Sequence, residues 1–385
     1  MVSRTQMKYP LLPYSQLVWE MTRWFPGIYR FPVTLLWRGG AAEKERITAA
    51  FRAALTNHPV FSSRINWRGQ QYPSTLKDPL HGPYHDITLY TQGGDLYVRI
   101  SGDRILGDGQ SCFVFVQDVC QAYAGKPLEK DDYWGYLERV ERDKQSDHYR
   151  QSREWLISAF GDTSVPVRPT MDRPFLWTLL PPKGGVMEDD YSDLLQAIRK
   201  FTRQHRLTLE GLFSLCTALA IADYCGTDEA ALTWAYEGRE LPDEQRIFGS
   251  LHRDVPFIIS RKKTEESRKT GGERDELIRQ ARNQIRSGIA HSDYPYTLTA
   301  PYNKRWNYAV NVLRVVDDVP KGSLPMEVVA LPDFKHAYAL LDVEIHEHLH
   351  NLSLVFRYSA THYRAESICR LGMLIQKNML WLLNL

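Results

Sequence analysis

Apolar residues recur at two spacings along this chain of 385 residues, and the alternation between them lays out a protein of mixed helix and strand. In 43–57, Ile47, Ala50, Phe51, Ala54 and Leu55 fall three or four apart. That spacing predicts an amphipathic helix, stopped by His58-Pro59. The same period predicts helices over 14–24, from 109 to about 124, and over 191–205, 209–225, 274–289 and 365–383. Short apolar or alternating runs predict strands over 29–37, 63–67, 86–90, 96–103, 175–180, 232–236, 307–316, 327–331, 338–345 and 352–358. Gly93-Gly94-Asp95 is the turn between the fourth of these and the one before it. Residues 129–160 read as mostly helical and highly charged, hence a surface element, and 262–272 as a polar loop. Pro166, Pro169 and Pro174 make 161–174 a poor helix or central strand, so it is the expected seam between two halves. The halves, 1–165 and 166–385, each mix α and β.

Composition narrows the class. The 43% hydrophobic and 24% charged content is that of a globular chain, and 48 basic against 46 acidic residues leave a net charge of +2. No dense basic cluster with interleaved aromatics occurs, so no nucleic-acid partner is expected. Residues 1–8 lack an apolar core of signal-peptide length, and no apolar run reaches a membrane span, so no membrane association is expected. The short ends favour a complete unit. Cys112, Cys120, Cys216, Cys225 and Cys369 are scattered, form no CxxC pair, and read as buried free thiols of a reducing, cytoplasmic compartment. There is no G-x-S-x-G, no G-x-G-x-x-G and no Walker loop. His346, His348 and His350 alternate as strand residues do, but without an acidic neighbourhood they read as a polar strand face and not as a zinc site. His58, His205 and His291 end helices, where a cation suits the dipole.

The run Asp103-Arg104-Ile105-Leu106-Gly107-Asp108-Gly109 lies between an expected strand and an apolar helix. It resembles the HHxxxDG active-site turn of condensation domains and of the wider acyltransferase superfamily that includes chloramphenicol acetyltransferase. Asp108-Gly109 is present, and Asp103 and Arg104 stand in place of the two histidines. Other boxes follow in family order. Leu11 to Gln16 is similar to the first box. Ala54-Leu55-Thr56-Asn57-His58-Pro59-Val60-Phe61 is similar to a degenerate RHExLRT, and Val167 to Pro174 to the connector LPxDxPRP. Trp234-Ala235-Tyr236-Glu237-Gly238-Arg239 resembles the strand ending in Gly-Arg. Phe248 to Phe257 resembles GxFVNTLPLR, with its Asn-Thr replaced around His252-Arg253-Asp254.

The resemblance implies an α/β (α+β) fold of two chloramphenicol-acetyltransferase-like lobes set in a V around a central tunnel. It implies no permanently bound cofactor, and as partner an acyl or peptidyl carrier protein that presents its phosphopantetheine arm. A recruited tailoring enzyme is a second implied partner, as for the X domain of glycopeptide synthetases, which has arginine at the second-histidine position. Asp108 would hold the turn through a charge pair, with Gly109 permitting a tight backbone path. Arginine stays protonated and carries no lone pair, so Arg104 cannot act as the base. Two readings stand open. In one, the module is not catalytic and binds a carrier protein, an acyl chain or a partner enzyme; Arg104 there either holds an anion or pairs internally with Asp108. In the other, the chain forms an amide or ester from a carrier-bound thioester by alignment, with Asp103 or Asp108 assisting. Gln110 and Ser111 could donate to a substrate carbonyl or simply start the helix. Arg239 would pair with an acid across the tunnel or in a surface pair, and Asn311 would be a tunnel hydrogen-bonder or the solvated face of an edge strand.

Overall fold

The computed structural model describes residues 7–24, 26–27, 29–161, 165–173, 182–261, 272–296, 309–315, 326–330, 336–337 and 339–385. The strand expected over 175–180 lies outside them, as does all of the 262–272 loop except Gly272.

Along the chain the elements begin with β1 (Tyr9–Pro10), α1 (Pro13–Trp24), β2 (Arg30–Trp37), α2 (Lys44–Asn57), β3 (Arg64–Ile65) and β4 (Gln70–Tyr72). They continue with β5 (His85–Gln92), β6 (Asp95–Asp103), α3 (Gly109–Tyr123), α4 (Tyr133–Asp143), α5 (Asp147–Phe160), β7 (Gly184–Asp190), α6 (Leu195–His205) and α7 (Leu209–Cys225). The rest are β8 (Glu229–Tyr236), β9 (Arg253–Ser260), α8 (Glu273–Ala290), β10 (Asn311–Val315), β11 (Met326–Ala330), β12 (Leu341–Glu347), β13 (Leu352–Ser359) and α9 (Ala365–Leu383).

These elements form two compact units. The first comprises Met1–Ser146 together with Glu237–His252 and Asp318–Asp333, and the second holds the remainder. Helix α5, placed before the seam in the sequence reading, belongs to the second unit.

The first unit carries a four-stranded antiparallel sheet in the order β11-β2-β6-β5. Gly93 and Gly94 both have positive φ (62° and 91°), the requirement of a tight hairpin turn between β5 and β6. Helices α2 and α3 pack together through Phe51 and Phe115, whose ring centroids lie 6.0 Å apart. The second unit carries a six-stranded sheet, β7-β13-β12-β10-β8-β9, in which β10 runs parallel to both neighbours. Its core gathers α6, α7, α8 and α9. Helix α7 is buried from Gly211 through Ala222, which is why it is apolar all round. Thr208 caps its first turn and Gly226, at φ 67°, ends it. No single helix among the described residues is long and apolar enough to cross a membrane.

Several expectations change. Residues 129–160 are mostly helical, as expected, but not wholly a surface element: α4 buries Tyr133, Trp134, Tyr136 and Leu137, and α5 buries Leu156 and Phe160. Strands β7 and β9 were not expected, because β7 opens on two glycines and ends on three acids, and β9 contains Pro256. The proline is tolerated because β9 lies at the sheet edge. Strand β10 lies inside the sheet, so Asn311 is not on an edge strand. Only Cys216 is buried; Cys112 and Cys369 are exposed.

Candidate functional site

The motif turn is built where β6 ends. Asp103 closes the strand opposite Arg30, and its side chain accepts the Ile105 amide at 3.0 Å. The Leu106 amide returns to the Asp103 carbonyl, and buried Ser15 on α1 donates to the Ile105 carbonyl at 3.0 Å. Ser15 thus ties the first box to the turn. Burial pushes the Asp103 carboxyl up, against the Ile105 amide and the charge of Arg30. The Arg104 amide donates to the Tyr29 carbonyl, and its Nη1 donates to the Tyr14 hydroxyl at 3.2 Å.

Asp108 caps α3. Its Oδ1 accepts the Ser111 amide at 2.9 Å, and the Ser111 hydroxyl in turn accepts the Asp108 amide at 3.3 Å. The same carboxylate takes a two-pronged bond from Arg239, 3.0 Å from Nη1 to Oδ2 and 3.0 Å from Nη2 to Oδ1. Oδ2 also accepts the amides of Leu251 at 2.8 Å and His252 at 3.1 Å. Burial works against the charged carboxylate, but Arg239 and these donors outweigh it and hold the carboxyl below its ordinary range. The Arg239 and Asp108 side chains are 1% and 6% exposed, so this is a buried pair. It is Arg239, and not Arg104, that partners Asp108.

Ser111 extends the network. Its hydroxyl donates to the Gly249 carbonyl at 2.7 Å and accepts the Gly249 amide at 3.1 Å. Arg239 adds a bond to the same carbonyl at 3.1 Å. The tight approach is at Gly107, where a Cβ would come within 2.7 Å of Phe248 and 2.9 Å of Ser111. Gly109, expected to permit a tight backbone path, shows no positive φ, and a Cβ there would meet nothing within 4 Å. Gln110 makes no side-chain hydrogen bond to a described residue. Asn311 is not part of this cluster: it lies in the second unit, accepting from Thr233 at 3.2 Å.

Two histidines carry more than the sequence disclosed. His252 has its Nδ1 3.4 Å from the Ser250 hydroxyl and its ring 4.1 Å from the Tyr14 ring, edge to face. The only signal was a departure from the Asn-Thr box. His58 is fully buried between two carboxylates, with Nδ1 2.7 Å from Asp131 and Nε2 3.2 Å from Asp118. The second contact lacks hydrogen-bond geometry and is best described as charge attraction. Asp131 also accepts the Phe248 amide at 3.0 Å, and Asp118 pairs with Arg246. His58 therefore braces the segment that supplies Gly249, Leu251 and His252.

Among the described residues no group of His, Cys, Asp and Glu is arranged to hold a metal. β12 ends at Glu347, so His348 and His350 leave the strand, and His346 lies 3.0 Å from Glu344. The Cys112 residue reaches solvent, yet enough protein surrounds its thiol to push it up to about 11, so it is not a thiolate at neutral pH.

Comparisons with known proteins identify the family and the fold. Residues 104–381 match the family described as Condensation domain. A nonribosomal peptide synthetase of Aspergillus violaceofuscus is 22% identical over 316 residues, 73% of this chain and 3% of that protein. Nonribosomal peptide synthetase 8 of Aspergillus fumigatus is 25% identical over 167 residues, 42% of this chain and 2% of that protein. The chain thus spans a small fraction of these relatives. Among solved structures, the X-domain from teicoplanin biosynthesis is 15% identical with a TM-score of 0.77, covering 100% of this chain and 96% of that one. The condensation domain of the Monacolin K polyketide synthase is 13% identical with a TM-score of 0.76, covering 98% of each chain. The epimerization domain of tyrocidine synthetase B is 14% identical with a TM-score of 0.74, covering 98% of this chain and 96% of that one. With the family match running through most of its length, the chain belongs to the condensation-domain family.

Proposed function

We propose that this condensation-domain-like protein serves nonribosomal peptide or related acyl biosynthesis as a binding module, holding an acyl or peptidyl chain on the phosphopantetheine arm of a carrier protein. The observation that carries this reading is Arg104. By resemblance to the family motif, Arg104 stands where the catalytic imidazole would be, and its guanidinium donates to Tyr14. It has no lone pair to take a proton, but it can hold a carboxylate or phosphate through two parallel bonds. Asp108 is no substitute base, because Arg239, Ser111, Leu251 and His252 fully engage its oxygens.

The test is calorimetric titration of the full chain with an octanoyl-loaded peptidyl carrier protein. Arg104→Ala is expected to weaken binding about tenfold, the scale of one charge-assisted hydrogen bond. Equal binding by the variant would refute the role of Arg104. A partner enzyme is the other candidate occupant, since one similar structure is a complex of the teicoplanin X-domain with OxyB.

A second reading, amide or ester formation from the thioester, is favoured by the raised Asp103 carboxyl. A carboxyl pushed upward is a better proton acceptor than an ordinary one.

A further inference from the structure

We infer that His252 supplies the general base that position 104 lacks, accepting the proton of the attacking amine or hydroxyl at Nε2 while the Arg104 guanidinium faces the developing oxyanion. The inference rests on the acyl-transfer reading above and gives that reaction a proton acceptor better suited than Asp103.

The argument starts from one phenol. Tyr14 accepts a hydrogen bond from Arg104 at its hydroxyl, and its ring lies 4.1 Å from the His252 ring. A guanidinium and an imidazole are thus neighbours of the same side chain, within the first unit. The family's missing imidazole is back beside the motif, carried on a different segment.

The backbone of that segment is held by the motif itself. The His252 amide is bound by Asp108 Oδ2 at 3.1 Å, and Asp108 is fixed in turn by Arg239. The structural half of the motif therefore positions the imidazole. The ring has a second anchor at Nδ1, 3.4 Å from the hydroxyl of buried Ser250. With Nδ1–H donating to Ser250, Nε2 keeps its lone pair, and it has no protein partner among the described residues. The other imidazoles of this unit near the core are spoken for: His58 lies between two aspartates, and buried His85 uses Nε2 on the Pro79 carbonyl. A neutral imidazole can take a proton at Nε2 and give it back from the same atom.

The chemistry balances without any group beyond donor and acceptor. The acceptor nitrogen or oxygen attacks the thioester carbonyl carbon as Nε2 removes its proton. A C–N or C–O bond forms, and the carbonyl pair moves onto oxygen opposite Arg104. Collapse breaks the C–S bond, and the imidazolium returns its proton to the departing thiolate. The products are an amide or ester and a free thiol.

The experiment offers the full chain octanoyl-pantetheine as donor, with amino acid N-acetylcysteamine thioesters and primary alcohols as acceptors. Wild-type chain is expected to form product, and His252→Ala to lower kcat/KM about 100-fold or more, the usual share of a general base. Added imidazole is expected to restore His252→Ala in part, which a purely structural loss would not permit. His252→Gln, which keeps the side-chain bulk, is expected to stay folded by circular dichroism and to stay inactive. His350→Ala, on an exposed turn, serves as the unaffected control. Product formation by His252→Gln at the wild-type rate, or no response of His252→Ala to imidazole, would overturn the assignment and leave acyl transfer standing. No product from the wild-type chain would overturn acyl transfer and this assignment with it.

Discussion

Asp108 is buried as an anion, and that state is stable only while its donors are present. Burial alone raises its carboxyl, and Arg239 with the backbone amides brings it down. Removing one partner of such a pair strands the other charge in a poorly solvated site. Arg239→Met is accordingly expected to cost about 3 to 5 kcal/mol in urea unfolding, a range taken from other broken buried pairs. Adding Asp108→Asn to it should recover part of the loss, because the stranded charge is gone. A loss no smaller in the double variant would mean that packing, and not charge, dominates at this site. The sequence marked both residues as charge-pair partners but did not join them to each other. Asp108 lies in a local motif, whereas its partner is 131 residues away, and no short pattern encodes such a contact. Asp108 as the partner of Arg104 was the natural guess from adjacency, yet the Arg104 guanidinium is directed to Tyr14.

At the scale of elements, the helices were legible and the two edge strands of the six-stranded sheet were not. Helices α2, α3 and α7 follow from their apolar residues, and α2 stops at His58-Pro59 as its sequence predicts. β7 and β9 carry glycines, acids and a proline that suppress a strand pattern, and pairing with β13 and β8 overrides local preference. The His58 brace was equally hidden, because the C-terminal end of α2 explains a histidine without further partners. In the structure, burial lowers the proton affinity of His58, but the adjacent carboxylates of Asp118 and Asp131 outweigh it and leave the imidazole raised. A raised folded value means that stability is fully present below the unfolded value, about 6.5, and is lost as pH rises through the folded value. The groups facing the ring are Asp118 on α3 and Asp131 before α4; Arg246, bound to Asp118, opposes the cation. Thermal melts should therefore fall as pH is raised above that range, and His58→Gln should flatten this part of the profile. An ordinary histidine titration of the His58 ring by NMR would contradict the brace.

At the scale of the molecule, the first unit is discontinuous in sequence, and this sets what can fold alone. The proline-rich stretch before Pro174 reads as a boundary, and a cut there would leave residues 1–165 as a natural fragment. That fragment would lack Glu237–His252 and Asp318–Asp333, which belong to the same compact unit. It would lose Arg239, leaving the Asp108 carboxylate buried without its cation, and with it the Leu251 and His252 amides. Phe248 would leave an aromatic cluster in which its ring lies 4.6 Å from Phe61 and 5.4 Å from His58. β2 would lose its β11 neighbour and become an open edge. The fragment would also retain α5, whose buried face, with Leu156 and Phe160, packs on Val167, Ala231, Tyr296 and Ala309 of the second unit. Each loss is of the kind that costs several kcal/mol, against a total stability of about 5 to 15 kcal/mol for a domain. Residues 1–165 expressed alone should therefore show poor amide dispersion in a proton–nitrogen NMR spectrum and no cooperative melt. A circularly permuted chain that keeps all three segments of the unit should fold, and cooperative folding of the short fragment by itself would show that the later segments decorate a core already complete without them.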